Sequence, residues 1–341
     1  MSGETARISV TDLDRLMRDA LEASGTSAEN SASVARALTA AEIDGQKGHG
    51  LSRVASYAAQ VRIGKIAGYA VPLKAAGKPG TILIDAAHGF AYPALDLAVA
   101  ALPPMARSQG IAAAGITRSH HAGALGLVAE RIAQDGCLAL VFANTPSAMA
   151  AWGGTRAVFG TNPIAFAAPR PDAFPIVVDL ALSEVARAKI VAAAQLDNSI
   201  PEGWAVDAAG RPTTDAKAAL AGTLLPAGGA KGAALALMVE VLAAALTGSR
   251  MAFEASSFLD DKGPPPGAGQ LIIAIDASAF AGRDAFAKRI ATLAAAITGE
   301  AGVRMPGNRR VALRQNASMN GVLVDAKVLA QVRALHGGSS G

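Results

Sequence analysis

The middle of the chain alternates strand-like and helix-like segments, and this alternation constrains the fold more than any other feature. Short apolar runs at Thr81–Asp85, Ile111–Thr117 and Leu271–Asp276 are typical of strands. The segments 124–134 and 283–298 carry apolar residues at helical spacing. Further strands are predicted over 138–143, 163–168 and 175–179, and further helices over 94–107, 183–194 and 231–246. The pattern predicts a mixed α/β middle region.

Both chain ends are richer in helix than the middle. Leu13, Met17 and Leu21 repeat at helical spacing after a cap at Thr11 or Asp12. Helices are also predicted over 27–44 and 51–63, and 67–80 is predicted to be a connection between domains. The predicted domains are a helical domain over 1–70 plus 295–336, a mixed α/β domain over 71–294 and a flexible tail over 337–341.

Composition excludes several classes of protein. Hydrophobic residues make up 51% and charged residues 17%, as expected for a packed globule. The net charge of +4 is scattered, without the basic stripe that nucleic-acid binding needs. Cys137 is the single cysteine, so no disulfide can form within the chain. With neither a signal-peptide pattern nor an apolar run long enough for a membrane span, we expect a cytoplasmic protein.

Gly48-His49-Gly50, with Arg53 four positions after the histidine, is the first candidate catalytic segment. If a helix starts here, both side chains project from one face. A reaction at a 2-oxo acid needs a proton donor and a planar cation for the carboxylate, which histidine and arginine supply. The alternative is a helix cap with an exposed histidine and a solvated arginine.

Ser119-His120-His121-Ala122-Gly123 is the second candidate segment, because it lies where a predicted strand ends and a helix begins. Adjacent histidines cannot easily point at one ion, and no carboxylate cluster accompanies them, so we predict no metal site.

Three further segments could hold a dinucleotide. They are Trp152-Gly153-Gly154 followed by 160–163, the strand-to-helix junction 179–183, and the glycine-rich start of a helix at 228–232. The sequence lacks both the G-x-G-x-x-G fingerprint after a strand and the phosphate-binding P-loop motif. Any nucleotide is therefore held by another architecture.

Taken in order, these segments resemble the non-Rossmann malate/L-lactate dehydrogenase family, which includes ureidoglycolate and sulfolactate dehydrogenases, diketogulonate reductase and piperideine/pyrroline-2-carboxylate reductases. The resemblance covers nearly the whole chain. The segments that carry it are Asp44-Gly45, Gly48-His49-Gly50 with Arg53, His121 with Gly123, Trp152-Gly153-Gly154, Gly160-Thr161-Asn162-Pro163, Ile200-Pro201-Glu202-Gly203-Trp204, Pro212-Thr213-Thr214-Asp215 and Lys231-Gly232.

The resemblance implies roles for individual residues. His49 is a proton donor or acceptor, Arg53 binds the substrate carboxylate, His121 lines the reaction centre and Thr161 lies in the substrate pocket. It leaves open which histidine is the acid-base group. Contacts to NAD or NADP are implied for Thr145, Asp179, Leu180, Ala181, Lys231, Gly232, Gly307, Asn308 and Arg309.

The implied fold is a mixed-sheet, NAD(P)-binding domain of non-Rossmann type inserted into a helical domain that both chain ends form. The implied assembly is a homodimer with the active site near the subunit contact.

Three positions depart from the family pattern. Gly48 stands where most relatives have Ser beside the histidine, and Lys189 stands where the cyclic-imine reductases carry Asp. Both departures weaken the imine-reductase interpretation, and Lys189 could favour a substrate with additional negative charge. Ala122 replaces a residue that is often bulkier, which would enlarge the pocket.

The expected function is therefore NAD(P)-dependent hydride transfer between nicotinamide and C2 of a small 2-hydroxy or 2-oxo acid of the malate, sulfolactate or lactate type. The alternative enzyme reduces cyclic or N-alkyl imines of 2-oxo acids. A third hypothesis, from another class, is a catalytically silent binding protein, against which the presence of His49, Arg53 and His121 together argues. The sequence leaves NAD and NADP undistinguished.

Overall fold

The computed structural model describes residues 4–171 and 173–337. The helices are α1 (Val10–Glu22), α2 (Ala28–Ile43), α3 (Val54–Arg62), α4 (Ala91–Gln109), α5 (Leu125–Gln134), α6 (Arg187–Gln195), α7 (Ala216–Ala221), α8 (Ala230–Glu240), α9 (Arg283–Thr298), α10 (Asn308–Asn320) and α11 (Ala326–Gly337). The strands are β1 (Thr5–Ile8), β2 (Leu73–Ala76), β3 (Thr81–Asp85), β4 (Ile111–Ser119), β5 (Cys137–Ala143), β6 (Met149–Ala150), β7 (Ala157–Phe159), β8 (Ile164–Ala168), β9 (Ile176–Leu180), β10 (Ala205–Val206), β11 (Thr223–Leu224), β12 (Ala268–Asp276) and β13 (Val322–Asp325).

A mixed seven-stranded sheet forms the centre of the molecule. Its strand order is β2-β3-β4-β12-β5-β8-β9, and β3 and β4 are its parallel neighbours, whereas the other neighbours are antiparallel. A Rossmann sheet is mostly parallel, so this topology differs from it. The mixed, non-Rossmann α/β fold predicted from the sequence is confirmed.

The two faces of this sheet are covered by different hydrophobic clusters. Alternate residues of β12 point to opposite faces, with Ile272 and Ala274 in the larger cluster and Leu271 and Ile273 in the smaller one. The larger cluster packs α1 to α5 on one face, and the smaller cluster packs α6 to α8 on the other. A strand buried on both faces must be apolar throughout, which explains the continuous apolar run that marks β12 in the sequence.

The two chain ends meet, as the sequence predicts. Strand β1 pairs antiparallel with β13, and Ile8 lies opposite Val322. The predicted division into domains stays a prediction, although its boundary at 294–295 falls inside α9, which packs through Ala294 against Ala168. Gly337 ends α11, and the rest of the predicted tail lies outside the described residues.

Three local predictions are corrected. The cap of α1 is Ser9 rather than Thr11 or Asp12, because its hydroxyl accepts the Asp12 backbone N–H at 3.0 Å. The predicted connection 67–80 contains β2, which pairs antiparallel with β3. The helix predicted over 183–194 starts at Arg187, since Ser183 instead bridges to Pro226. In the described part of the chain, no helix is both long and apolar enough to cross a membrane.

Candidate active site

Two histidines that are far apart in sequence stack on each other. The rings of His49 and His121 are nearly parallel, with centroids 5.1 Å apart and an angle of 10° between the planes. His121 belongs to the loop between β4 and α5, as the sequence predicts, and its neighbour His120 is 1% exposed. The structure thus brings both predicted catalytic histidines into one site.

One face of α3 supplies the partners of the two histidines of this loop. Tyr57 and Gln60 follow Arg53 by four and seven residues, a spacing that keeps side chains on one helix face. The Tyr57 hydroxyl lies 2.6 Å from His121 Nδ1, and Gln60 Oε1 lies 2.9 Å from His120 Nε2. The sequence contains this spacing, but its motifs do not predict a role for Tyr57 or Gln60.

The contacts of Gln60 determine which ring nitrogen of His120 carries a hydrogen. Its amide nitrogen donates to the Phe258 carbonyl at 3.2 Å, so its amide oxygen must face His120. An amide oxygen can only accept, and His120 Nε2 therefore carries a hydrogen and donates it. His120 is a neutral, structurally committed ring rather than a free acid-base group.

A second tyrosine extends the hydrogen bonding away from His121. The hydroxyl of Tyr92 lies 3.1 Å from that of Tyr57. Burial raises the pKa of both phenols, that of Tyr92 well above its usual value, so both stay protonated at neutral pH. Gly123 has a φ of +67°, and a Cβ there would lie 2.6 Å from the Tyr92 oxygen. Glycine at 123 therefore makes room for this hydroxyl.

Burial and two nearby cations, Arg53 and Lys65, hold the three histidines neutral. Burial first, and then the charge of Arg53, lower the pKa of His49 to about 4, while Asp179 opposes the shift. Burial and Lys65 lower the pKa of His120 to about 3. Burial and Arg53 also lower the pKa of His121 well below its ordinary value. All three rings are therefore neutral imidazoles at pH 7.

Arg53 is the uncompensated charge of the site. Its Nε donates to the Gly48 carbonyl at 2.6 Å. Among the described residues, no carboxylate oxygen lies within ion-pair distance of its guanidinium. A half-buried guanidinium beside neutral imidazoles is suited to binding a carboxylate.

The backbone around His49 differs from the regular helix start considered for it. Lys47–His49 and Leu51–Arg53 are short 3-10 turns, and α3 begins only at Val54. The buried carboxylate of Glu42 explains this, because it accepts the Leu51 backbone N–H at 2.9 Å. A Cβ at Gly50 would lie 2.0 Å from that carboxylate, so glycine is required there.

A fully buried lysine shapes the opposite wall of the site. Lys65 Nζ donates to the backbone carbonyls of Ser257, Asp260 and Lys262 at 2.6 to 2.9 Å. The loop that it holds places the Phe258 ring 5.5 Å from that of His121. No sequence signal could have found this contact, because the partners lie more than 190 residues apart.

Asp179 connects several elements around the histidines. Its Oδ2 accepts the backbone N–H of Gly126 at 2.9 Å and the side-chain amide of Gln46 at 3.2 Å, and lies 3.5 Å from Arg310. A Cβ at Gly126 would lie 2.8 Å from both the carboxylate and Arg310. The carboxylate thus joins the ends of β9 and α2 to the starts of α5 and α10.

Thr145 and Thr161 lie side by side near the end of β9. The Thr161 backbone N–H donates to the Thr145 hydroxyl at 2.9 Å. Asn162 has a φ of +37° and donates its side-chain amide to the buried carboxylate of Glu240 at 2.8 Å. Leu182, beyond the end of β9, donates its backbone N–H to the Thr161 carbonyl at 2.8 Å. Thr161 therefore adjoins the segment predicted to contact the cofactor.

Two helix starts have the features of a dinucleotide cradle. Gly229 precedes α8 with a φ of +65°, and Gly307 precedes α10 with a φ of +90°; neither helix has a side-chain cap. Their first N–H groups therefore lack partners from within the helix, and they favour anions. Lys231 and Arg309 are exposed in these first turns, so the residues present fit a bound diphosphate.

These helix starts also lie next to β9. The Ala227 backbone N–H donates to the Leu182 carbonyl at 2.9 Å, and the Val177 backbone N–H donates to the Pro306 carbonyl at 3.4 Å. A Cβ at Gly232 would lie 2.0 Å from the Ala227 oxygen, so this turn requires glycine. The two helix starts thus lie beside opposite ends of β9, that of α8 near Leu182 and that of α10 near Val177. Trp152, by contrast, is 65% exposed.

The positions that depart from the family pattern have distinct surroundings. A Cβ at Gly48 would meet nothing within 4 Å. Lys189 is exposed, and its Nζ lies 5.9 Å from the centre of the Trp204 ring. Ala122 is buried and lines a cavity together with Tyr92.

Known proteins share both this sequence and this fold. The family described as Malate/L-lactate dehydrogenase matches residues 8–333. The (2R)-3-sulfolactate dehydrogenase (NADP(+)) of Chromohalobacter salexigens is 47% identical over 322 residues, which cover 94% of this chain and 96% of the relative. The Delta(1)-pyrroline-2-carboxylate reductase of Ancylobacter novellus is 39% identical, with 97% of this chain and 98% of the relative covered.

A solved structure agrees with these matches. The delta1-piperideine-2-carboxylate reductase of Pseudomonas syringae superposes with a TM-score of 0.90 at 36% identity, covering 97% of this chain and 99% of that one. Matches of this length and identity confirm the resemblance drawn from the motifs. The chain therefore belongs to the malate/L-lactate dehydrogenase family.

Proposed function

We propose that this oxidoreductase is an NADP-dependent dehydrogenase of a 2-hydroxy acid with a second anionic group, of which 3-sulfolactate is the leading example. The observation that carries the proposal is the uncompensated Arg53 guanidinium beside the stacked, neutral His49 and His121. The choice of 3-sulfolactate and NADP rests on the Chromohalobacter relative. Lys189, in place of the Asp of imine reductases, weighs against an imine substrate.

Arg53 binds the substrate carboxylate in this proposal. A bidentate guanidinium contact fixes the carboxylate plane and so places C2 beside the histidines. Pairing with a carboxylate also cancels the positive field that lowers the pKa of His121. Substrate binding therefore makes His121 a stronger base at the moment when the C2 hydroxyl proton must leave.

His121 is the acid-base group, and His49 orders the site. The hydrogen bond that one ring nitrogen makes selects which nitrogen carries the proton. His121 Nδ1 has such a bond, to Tyr57, whereas His49 Nδ1 is buried without a partner among the described residues. The bond to Tyr57 thus sets the protonation of His121 Nε2, which faces the substrate oxygen. The His49 ring packs against the His121 ring.

The cofactor contacts extend from Asp179 to Ala181, through Lys231 and Gly232, to Gly307, Asn308 and Arg309. A bound nicotinamide dinucleotide supplies the hydride acceptor or donor. The first turn of α8, with Lys231, holds its diphosphate, and the first turn of α10, with Arg309, contacts another part of the dinucleotide. Thr145 orients Thr161 at the substrate side of the same pocket.

The test is a panel of reductions followed at the nicotinamide absorbance band, with NADH and NADPH in turn. The substrates are 3-sulfopyruvate, oxaloacetate, pyruvate and Delta(1)-pyrroline-2-carboxylate. We expect the highest kcat/KM with 3-sulfopyruvate and NADPH. Turnover only of the cyclic imine would contradict the proposal, and equal rates with pyruvate would contradict a role for the second anionic group.

The second candidate function is reduction of cyclic imines of 2-oxo acids. It is favoured by the 39% identity to the Ancylobacter reductase. Against it stand Gly48 and Lys189, which replace the Ser and Asp of those enzymes. The same panel distinguishes the two functions.

We also propose that the chain acts in the cytoplasm as a homodimer. Apolar side chains are exposed along α8 and the π-helical turn that follows it, among them Leu237 and Val241, which are 53% and 52% exposed. A second copy would cover this surface. Sedimentation should give twice the monomer mass, and Leu237→Glu should reduce it to that of the monomer.

A further inference from the structure

A continuous line of hydrogen-bonding groups runs from His121 into the interior of the helical layer. It passes from His121 Nδ1 to the Tyr57 hydroxyl at 2.6 Å and on to the Tyr92 hydroxyl at 3.1 Å. Tyr57 is fully buried and Tyr92 is 6% exposed. The line leads away from the other ring nitrogen of His121, which has no hydrogen-bond partner in the described part of the chain.

Two hydroxyls in series can adopt two hydrogen-bond arrangements. In one, Tyr92 donates to Tyr57 and Tyr57 donates to His121 Nδ1, so that His121 carries its hydrogen on Nε2. In the other, His121 donates from Nδ1 to Tyr57 and Tyr57 donates to Tyr92, so that Nε2 is a free base. Each hydroxyl has one hydrogen and two lone pairs, so both arrangements are satisfied.

Oxidation of a hydroxy acid releases a proton that His121 cannot keep. The cation of Arg53 and the rings of His49, His120, Tyr57 and Phe258 surround His121. Its burial disfavours a doubly protonated imidazolium even when a bound carboxylate pairs with Arg53. A proton that enters at Nε2 must therefore leave at Nδ1.

Tyr92 also lines a cavity of about 220 Å³. Asp96 and Glu130 contribute carboxylates to its wall, together with Arg36 and Arg131. The side chains of Arg36 and Arg131 are 58% and 42% exposed, so the cavity wall reaches the protein surface. Most of its lining is apolar, but the cavity opens to solvent beside these charged side chains, so water can enter it.

We propose that Tyr57 and Tyr92 form a proton relay between His121 and water in this cavity, an inference that rests on the proposed dehydrogenase function. During oxidation, the substrate hydroxyl proton passes to His121 Nε2 and the Nδ1 proton passes to the Tyr57 oxygen. The Tyr57 proton passes to the Tyr92 oxygen, and the Tyr92 proton passes to a cavity water. One proton enters and one leaves, and both tyrosines end as neutral phenols. Reduction runs the same transfers in reverse.

The first test compares Tyr57→Phe and Tyr92→Phe with Tyr69→Phe, which alters an exposed tyrosine outside the relay. We expect kcat to fall about 10²-fold in Tyr57→Phe and about 10-fold in Tyr92→Phe, with little change in KM, since Arg53 is intact. Tyr92→Phe is decisive because it keeps the Tyr57–His121 bond. A purely structural or tautomer-fixing role for Tyr57 predicts a wild-type rate in Tyr92→Phe, which would overturn the relay.

The second test measures the rate against the deuterium fraction of the solvent. A relay moves several protons in one step, so the wild-type plot should be curved, and it should become linear in Tyr92→Phe. A merely structural effect of the substitution would leave the shape of the plot unchanged, and such a result would contradict the relay.

A third test needs no turnover, so it separates failure of the relay from failure of the proposed function. NMR of the free protein can follow the proton shared by Tyr57 and His121. We expect it to exchange with solvent more slowly in Tyr92→Phe than in the wild type, whatever the substrate. Equal exchange rates would overturn the relay even if the dehydrogenase reaction is found.

Discussion

Two arginines near the end of α2 differ in whether a carboxylate neutralises their charge. Arg314 donates to both carboxylate oxygens of buried Asp44 at 2.7 Å and also pairs with Glu130. Burial opposes its charged form, but these hydrogen bonds raise its pKa above the ordinary value. Arg53, by contrast, has a carbonyl partner and no carboxylate among the described residues.

The difference separates a structural cation from one that we propose binds the substrate. Arg314 lies on α10 and joins it to α2 and α5, so its charge is neutralised within the fold. Arg53 faces the histidines with its charge uncompensated, a costly arrangement unless a ligand supplies the anion. The comparison predicts that loss of Arg314 destabilises the fold and that loss of Arg53 disables the reaction.

The largest expected effect is on stability, in Arg314→Met. The variant leaves Asp44 and Glu130 buried without their main cation, which should lower the free energy of unfolding by about 3–5 kcal/mol. Urea unfolding measures this. Arg18→Met, which removes an exposed ion pair with Asp14, is the control and should cost under about 1 kcal/mol. Equal losses of unfolding free energy in the two variants would contradict the structural role of Arg314.

The next effect is on catalysis, in Arg53→Met. Loss of the carboxylate partner should lower kcat/KM by about 10²- to 10³-fold, while the free energy of unfolding stays the same or rises. Arg62→Met, which alters an exposed arginine at the end of α3, should keep the wild-type kcat/KM. A destabilised but active Arg53→Met would show that Arg53 is another structural cation.

The uncompensated charge should also be visible in the pH dependence of stability. The pKa of His49 falls from 6.5 in the unfolded chain to about 4 in the fold. The unfolded state therefore binds more protons below pH 6.5, and stability declines as the pH falls from 6.5 towards 4. Over that window His49 contributes a loss of about 3 kcal/mol.

Urea midpoints at pH 6.5 and pH 4.5 measure this dependence. His49→Gln should show a shallower decline than the wild type. Arg53→Met should also be shallower, because the Arg53 charge contributes to the lowered pKa. If the urea midpoint falls equally with pH in all three proteins, the proposed effect of the Arg53 charge on the pKa of His49 is contradicted.

The smallest expected effect belongs to Gly48→Ser. Among the described residues, no atom lies within 4 Å of a Cβ built at Gly48, and the φ of Gly48 is not positive. A serine therefore fits there, and the free energy of unfolding should change by under about 0.5 kcal/mol. The added hydroxyl lies beside His49, and it should raise the ratio of imine to 2-oxo acid turnover, further still when combined with Lys189→Asp. An unchanged ratio would mean that the two departures do not set specificity.

Ordered short motifs were enough to predict the fold class and both stacked histidines. Helical periodicity and apolar runs depend on local sequence, so strands such as β3 and β12 were predicted near their observed bounds. The seven-stranded order was not predictable in this way, because neighbours such as β4 and β12 are separated by about 150 residues.

The missed parts of the site depend on contacts between distant segments. Lys65 reaches carbonyls near residue 260, and Tyr57 meets His121 across 64 positions. A weak signal for Tyr57 did exist, because it follows Arg53 by one helical turn in a chain with only three tyrosines. The sequence alone could not show that Arg53 lacks a carboxylate partner among the residues that the structure describes.

We propose that His121, which is held by Tyr57 and faces Arg53, is the acid-base group of the reaction. The most direct test is the single-turnover rate of hydride transfer in His121→Asn and His49→Asn, with 3-sulfopyruvate and NADPH. Asparagine places an amide near the Nδ1 position, so each packing site is largely kept. We predict a loss of at least about 10²-fold in His121→Asn and of less than about 10-fold in His49→Asn. The reverse order would contradict the account and assign the proton to His49.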